Sequence, residues 1–131
     1  MKKIKIGFLP LYIKLYDDCG SGAVGRPRLE PFYERLAGEF EARGFDVVRN
    51  AFCRIKPEFE AAVAKFEAEA VDCIVTWHAA YSPSLECVDA LSGTKLPIVI
   101  LDTTETYDFS PAQNPAEISF CHGIHGVMDM C

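Results

Sequence analysis

The fold is decided by a short run near the middle of the chain, Val-Asp-Cys-Ile-Val-Thr-Trp at residues 71–77. This run is almost continuously apolar and rich in β-branched residues, which is typical of a parallel strand covered on both faces. An amphipathic helix pattern precedes it, with apolar residues on one face at Phe59, Val63, Phe66 and Ala70. A helix leading into a buried strand indicates a β-α-β unit.

The same alternation continues in both directions from this run. We predict strands at residues 3–9 (stopped by Pro10), 45–48, 71–77 and 96–101. A long loop is predicted at residues 17–28, where three glycines and a proline occur together. Four strands alternating with helices predict a doubly wound, flavodoxin-like or Rossmann-like α/β fold: a parallel sheet of about four strands with helices on both faces.

The predicted helices carry recognisable start and stop residues. Gly44 follows the first helix, which has its apolar face at Leu29 to Phe40, and suits a left-handed C-terminal cap. Pro57 opens the second helix, Ser82-Pro83 is predicted to cap and open the third, and Asn114-Pro115 the fourth. The 131 residues are predicted to form one domain. Because no fifth strand follows, we expect residues 1–131 to be the N-terminal fragment of a larger multidomain protein.

Composition excludes several classes of function. The net charge is −6, and the longest basic cluster is confined to Lys2–Lys5, so neither nucleic acid nor an anionic membrane is an expected partner. No apolar stretch approaches the roughly 20 residues of a membrane span, and the N-terminus lacks a signal-peptide pattern. The six cysteines contain no Cys-x-x-Cys pair, which favours reduced thiols in a cytoplasmic protein.

The candidate functional residues follow the predicted strands. Ligands of open parallel sheets bind beyond the carboxyl ends of the strands, and all three histidines of the chain lie in such segments: His78, His122 and His125. His122 and His125 are three residues apart, which would place them on one helical face. Two nitrogens are too few for a metal site, and although Cys121, Asp129 or His78 could complete one, we expect no metal in this chain.

Other interpretations of these segments remain open. Trp77 and Tyr81 could stack on the apolar face of a sugar or pack in the core. Asp102 stands where a receiver domain carries its acidic strand end, but the acidic pair after the first strand is absent. The glycine-rich run at residues 20–25 is a weak match to a phosphate-binding loop, because it falls late after the strand and has no Gly-Lys-Ser.

Four segments resemble the N-terminal domain of the L-fucose and L-arabinose isomerase family. Residues 75–83 contain a Trp followed shortly by aromatic-Ser-Pro, and residues 101–104 (Leu-Asp-Thr-Thr) are similar to a Leu-His-Thr-Gln run. Residues 122–126 (His-Gly-Ile-His-Gly) are similar to a Gln-Ser-Ala-His-Gly run, and residues 5–10 to an Ile-Gly-Ile-Arg-Pro opening. The segments occur in the family's order and span nearly the whole chain.

The resemblance implies a function that this chain shares with missing parts. Members of that family interconvert aldoses and ketoses with a divalent metal, usually Mn²⁺, whose ligands and acid/base residues lie in later domains. The N-terminal domain abuts the active site of a neighbouring subunit in a homo-hexamer and helps to hold the sugar. By position, His125 matches the family histidine that reaches the neighbour's substrate. His122 stands in place of Gln, Tyr81 in place of an aromatic residue, and Tyr12 loosely matches a Leu-Tyr pair.

From these observations we expect substrate-binding residues at His125, His122, Tyr81, Trp77 and Tyr12, with no catalytic or metal-binding residue in this chain. The full-length protein is expected to be a cytoplasmic, metal-dependent ketol isomerase, and this fragment alone to be inactive. The alternative is a non-enzymatic sugar-binding or regulatory module on the same scaffold. The roles of Arg26, Arg28 and Asp102 remain open at this point, as does the identity of the sugar.

Overall fold

A four-stranded parallel sheet forms the centre of the molecule. The computed structural model describes residues 2–20, 22–108 and 110–131. The strands are β1 (Lys5–Leu11), β2 (Asp46–Arg49), β3 (Cys73–His78) and β4 (Ile98–Leu101). They lie in the order β2-β1-β3-β4, and every neighbouring pair is parallel. This arrangement confirms the predicted α/β fold class.

Helices cover both faces of the sheet, as predicted. They are α1 (Lys14–Asp18), α2 (Gly22–Ala42), α3 (Lys56–Ala68), α4 (Ser84–Gly93) and α5 (Gly123–Met130), with a 3₁₀ helix at Pro115–Phe120. The apolar side of α2 packs on one face of the sheet, and α3 and α4 pack on the other. This placement follows from right-handed crossovers. The connection from β1 to β2 runs across the sheet in one direction and the connections to β3 and β4 run in the opposite direction, which puts their helices on opposite faces.

The two faces have different cores. The α2 face is aromatic: the ring of Tyr33 stacks on Phe8 at 4.6 Å between centroids, and its hydroxyl donates a 2.8 Å hydrogen bond to the carbonyl of Phe8. The ring of Trp77 also stacks on Tyr33, with 6.1 Å between centroids. The opposite face is mostly aliphatic, but Phe66 of α3 lies over Gly7 of β1. The narrow glycine allows the aromatic ring to lie directly on the strand.

The structure corrects the prediction that Pro10 ends the first strand. β1 continues through Pro10 to Leu11, and Pro10 pairs with Trp77 in β3. The carbonyl of Pro10 accepts a hydrogen bond from the amide of Cys53 at 3.0 Å. In a strand, the nitrogen and the carbonyl of one residue point to the same side, so the Pro10 nitrogen also faces the β2 side of the sheet, where β2 has already ended at Arg49. A proline is tolerated in a strand where its nitrogen meets no ladder acceptor.

The predicted loop at residues 17–28 is also corrected. Helix α2 begins at Gly22, well before Leu29, and includes Pro27 and Pro31. Each proline removes one intrahelical hydrogen bond, and the helix nevertheless continues through both. Ser21 in this predicted loop, and Phe109 in the polar loop after β4, lie outside the described residues.

The predicted helix ends are met in part. Gly44 has a φ of +93°, the left-handed conformation expected after α2, and the side chain of Asn114 accepts from the amide of Ala116 at 3.0 Å. Ser82, in contrast, does not cap α4, which begins at Ser84. The amide of Ser84 donates instead to the carboxylate of Asp129 in α5, at 2.8 Å. The predicted fourth helix is divided into the 3₁₀ helix and α5.

The edge of the sheet at β4 is apolar. Ile98 and Val99 are exposed there, and β4 pairs only with β3 among the strands of the described chain. All six cysteines have free thiols, and Cys53 and Cys87 are buried in the core. Within the described residues, no helix is both long enough and apolar enough to cross a membrane.

Candidate functional site at the carboxyl ends of β1 and β3

The order of the strands locates the candidate site. Chain direction across the sheet reverses between β1 and β3, and such switch points form the ligand-binding crevice of open α/β sheets. β1 ends at Leu11 and β3 at His78, and these two residues are partners in the strand register. The segment that follows β4 returns to this point, where the start of α5 packs on the end of β3.

His122 forms a defined pair with Tyr16 at the edge formed by the carboxyl ends of β1 and β3. Its Nε2 atom lies 2.8 Å from the Tyr16 hydroxyl, and its Nδ1 atom lies 2.9 Å from the carbonyl oxygen of Ile118. A carbonyl only accepts, so we assign the proton of the neutral ring to Nδ1, and the Tyr16 O–H donates to Nε2. Burial lowers the pKa of His122 and raises the pKa of Tyr16. Both side chains are therefore uncharged near neutral pH.

The other two partly accessible candidates are His125 and Tyr81. His125 is exposed in the first turn of α5, one residue before Gly126. Tyr81 is half-buried in the loop between β3 and α4. Neither a hydrogen bond nor a ring contact joins Tyr81 to a histidine among the residues that the structure describes. The structure thus brings His122 and Tyr16 together, while His125 and Tyr81 remain separate positions on the same edge.

Trp77 and Tyr12 lie in the interior. Both side chains are 1% exposed. The Trp77 Nε1 atom donates to the carbonyl of Thr103 at 3.0 Å, which ties the segment after β4 to β3. The ring of Tyr12 packs edge-on against Tyr16, 5.9 Å between centroids. These two candidates therefore support the edge from beneath, and neither presents a face to a ligand in this structure.

The buried environment of His78 was not predictable from the sequence. It is 2% exposed, and neither ring nitrogen has a hydrogen-bond partner within the described part of the chain. The hydroxyl groups of Thr76 and Ser82 are likewise buried without partners there. Buried polar groups nearly always have a partner, so this group is unusual. Thr76 and His78 stand two apart in an otherwise apolar strand, a spacing that places both on one face.

Two glycines allow α5 to approach His78 closely. A Cβ atom at Gly126 would lie 2.5 Å from Cδ2 of His78, and one at Gly123 would lie 2.2 Å from the carbonyl oxygen of His78. No other amino acid fits at these distances without displacement of the helix or the strand. Gly123 follows His122 and Gly126 follows His125, so both candidate histidines are carried by a segment that rests on His78.

Arg28, whose role the sequence left open, holds the segment after β4 against α2. Its guanidinium donates to both carboxylate oxygens of Glu117, at 2.9 and 2.6 Å, and lies 4.1 Å from the ring centroid of Phe120. A longer contact of 3.4 Å reaches Glu105. Arg26 makes comparable pairs nearer α1, with Asp17 and Glu30, at 3.3 and 3.4 Å. Both arginines are thus engaged within the chain, and Asp102 is exposed.

Replacing Arg28 by Lys is expected to loosen the 3₁₀ helix. Lysine keeps the charge but cannot form the two parallel bonds to Glu117. We expect amide hydrogen exchange at residues 116–122 to become severalfold faster, with the sheet amides unchanged. The matched control is Arg43→Lys, because Arg43 directly follows α2 and pairs with Glu39 at the end of that helix, away from this segment. Equal exchange in the two variants would contradict the assignment of Arg28.

The described residues contain no group of three or more His, Cys, Asp or Glu side chains that could hold a metal ion. No protein-family model matches the chain. No curated protein matches it significantly. The function therefore has to be argued from the site.

Proposed function

We propose that this chain is the N-terminal domain of an aldose–ketose isomerase similar to the L-fucose and L-arabinose isomerases. In this proposal it supplies substrate-binding residues and subunit contacts to an active site that later domains complete. One observation carries the proposal: the four segments that resemble that family, far apart in sequence, meet at one edge of the fold. Residues 5–10 lie in β1 and reach the residue before its end at Leu11, residues 75–83 include the end of β3, and the other two segments contact β3 there.

The chemistry of this edge suits a polyol. Sugar hydroxyls both donate and accept hydrogen bonds, and uncharged imidazole and phenol groups match them without the cost of burying a charge. In the uncharged pair of His122 and Tyr16 both ring nitrogens are already engaged, so the Tyr16 oxygen is the atom of the pair that can accept from a sugar hydroxyl. His125 and Tyr81 present further polar groups with partly apolar rings. Aromatic faces also cover the C–H surface of a sugar.

Catalysis in this proposal belongs outside the chain. The Mn²⁺ or similar divalent ion, which would polarise the sugar carbonyl and hydroxyl oxygens, is expected in the later domains. The edge formed by His122 and His125 would then face the active site of a neighbouring subunit in a cytoplasmic homo-oligomer, a hexamer by family resemblance. The residues of this chain bind and orient the sugar and transfer no proton.

The proposal predicts that the purified 131-residue chain does not turn over any aldose in the presence of Mn²⁺. It also predicts that the full-length product of the gene interconverts an aldose and a ketose. In that protein, His125→Ala should raise KM or lower kcat so that kcat/KM falls about 2- to 10-fold, because an uncharged hydrogen bond to the substrate is worth about 0.5–1.5 kcal/mol.

Met128→Ala is the matched control, since Met128 is 63% exposed on the same helix and away from the start of α5. Turnover by the isolated chain, or unchanged kinetics of His125→Ala, would contradict the proposed role. A full-length protein that binds an aldose but does not convert it would favour the non-enzymatic sugar-binding module.

A further inference from the structure

The ring of His78 lies beneath the glycine face of α5. Gly126 rests on the imidazole ring and Gly123 on the backbone carbonyl of the same residue, as the short distances to their missing Cβ atoms show. Each glycine directly follows a candidate binding histidine, His122 or His125. The position of His78 therefore determines the distance between α5 and β3, and this distance sets the positions of both candidate histidines.

Few other contacts hold α5 in place. Asp129 accepts a hydrogen bond from the amide of Ser84 at 2.8 Å, and the sulfur of Met130 lies 3.9 Å from that of Cys87. A helix of eight residues is not stable by itself in water. The closed state of α5, in which the helix packs on the end of β3, therefore depends on the fit between these two elements; in the open state this packing is lost.

The surroundings of His78 do not favour a charged imidazole. Acidic side chains occur on both helices of the flanking segments, Glu86 and Asp89 on α4 and Asp129 on α5. Other titratable residues of these segments are Tyr81, Cys87, His122 and His125. None of them bonds to the ring. Burial is the cause that lowers the pKa of His78, to about 4. A charged group buried without a partner is expelled or neutralised.

We propose that His78 is a positioning residue for His122 and His125: its uncharged imidazole seats the glycine face of α5, and protonation of that imidazole releases α5 together with both histidines. The proposal relies on the proposed function only for what the two histidines bind. The positioning itself is measured without any sugar, so the two proposals fail separately.

The direction of the pH dependence follows from the two protonation equilibria. The pKa of His78 is about 4 when α5 is closed, and about 6.5 for an imidazole in water. The closed state is therefore fully favoured above about pH 6.5 and is progressively lost as pH falls toward 4. Between pH 7 and pH 5 the ratio of open to closed α5 should rise about 20-fold.

Two other groups on this segment are distinguishable from His78. The amide of Ser84 holds the pKa of Asp129 below its usual range, which puts its titration below the pH 7 to 5 window. Burial also lowers the pKa of His122, but its Nε2, once protonated, can donate to the Tyr16 oxygen, so their hydrogen bond persists. We assign acid release of α5 to His78, and the comparison with His78→Leu separates its contribution from that of His122.

The test is hydrogen exchange of the whole 131-residue chain at pH 7 and pH 5, expressed as protection factors to remove the intrinsic effect of pH. We expect protection of the α5 amides to fall about 20-fold at pH 5, while β1 and β3 keep theirs. His78→Leu, similar in size and unable to take up a proton, should abolish this pH dependence. Less than a threefold fall in the original chain, or the same fall in His78→Leu, would overturn the proposal.

A second variant tests the seating independently of that substitution. Gly126→Ala places a methyl group against the His78 ring and should open α5 already at pH 7. Gly38→Ala is the matched control, because a Cβ at Gly38 in α2 meets nothing within 4 Å. If α5 remains as protected in Gly126→Ala as in Gly38→Ala, the imidazole does not seat the helix and the proposal fails, whether or not His78→Leu folds.

Discussion

Replacing Trp77 by Ala is expected to lower the free energy of unfolding by about 3–5 kcal/mol, the range typical of truncating a large buried aromatic residue. The indole is 1% exposed and packs against the rings of Phe32, Tyr33 and Phe52 on the α2 face of the sheet. The substitution leaves a cavity beside β3. It also removes the Nε1 donor, so that the carbonyl of Thr103 loses its partner.

Urea unfolding followed by circular dichroism measures this loss, because one domain of this size is expected to unfold in a single transition. Tyr107→Ala is the control: the ring of Tyr107 is fully exposed, so its removal should change the unfolding free energy by less than about 0.5 kcal/mol. A loss below about 1 kcal/mol for Trp77→Ala would mean that the indole is not part of the core. It would then be available to a ligand.

Gly7→Ala is expected to destabilise the protein by about 1–3 kcal/mol, although it adds only one methyl group. A Cβ at Gly7 would lie 2.7 Å from both Cγ and Cδ1 of Phe66, and these atoms are close to the backbone of α3. Phe66 is completely buried, so the ring has no free space in which to move. Either α3 shifts away from β1 or the ring leaves its preferred rotamer.

The same unfolding experiment tests this prediction through a double-mutant cycle. Phe66→Leu makes room above β1, so the cost of Gly7→Ala should become smaller in that background, with a coupling energy of about 1 kcal/mol. Gly38→Ala, in an open position of α2, should instead stabilise the protein by about 0.5–1 kcal/mol. Additive effects of the changes at Gly7 and Phe66 would contradict the contact.

The sheet was predictable because its signal is local. The apolar run at residues 71–77 and the helix patterns on either side contain enough information to indicate parallel strands with covered faces. Pro10 was not predictable in the same way, since whether a proline ends a strand depends on where the neighbouring strand stops. The early start of α2 was not predicted, because the sequence shows the glycines and prolines of residues 17–28 but not the ion pair between Arg26 and Asp17, which are nine residues apart.

The sequence predicted where on the sheet the candidate site lies, but not how its side chains are arranged. The strand ends indicated His78, His122 and His125, and the fold places two of them in one short segment above the third. Burial decided the rest: Trp77 and Tyr12 follow or end strands as a ligand-binding aromatic residue would, yet their side chains point into the core. A single sequence does not show which side of a strand end becomes covered, because the covering segment is about 45 residues away in the chain.

The ion pairs of Arg28 have a consequence for ionic strength. The sheet is held by buried apolar surface, whereas the segment that carries His122 is tied to α2 largely by Arg28 with Glu117 and Glu105, assisted by Arg35 with Glu105. Salt screens partly exposed charges, with a Debye length of about 8 Å at physiological ionic strength, and leaves apolar contacts intact. The sheet and the segment that carries His122 therefore differ in what stabilises them, and added salt should loosen that segment while the sheet stays intact.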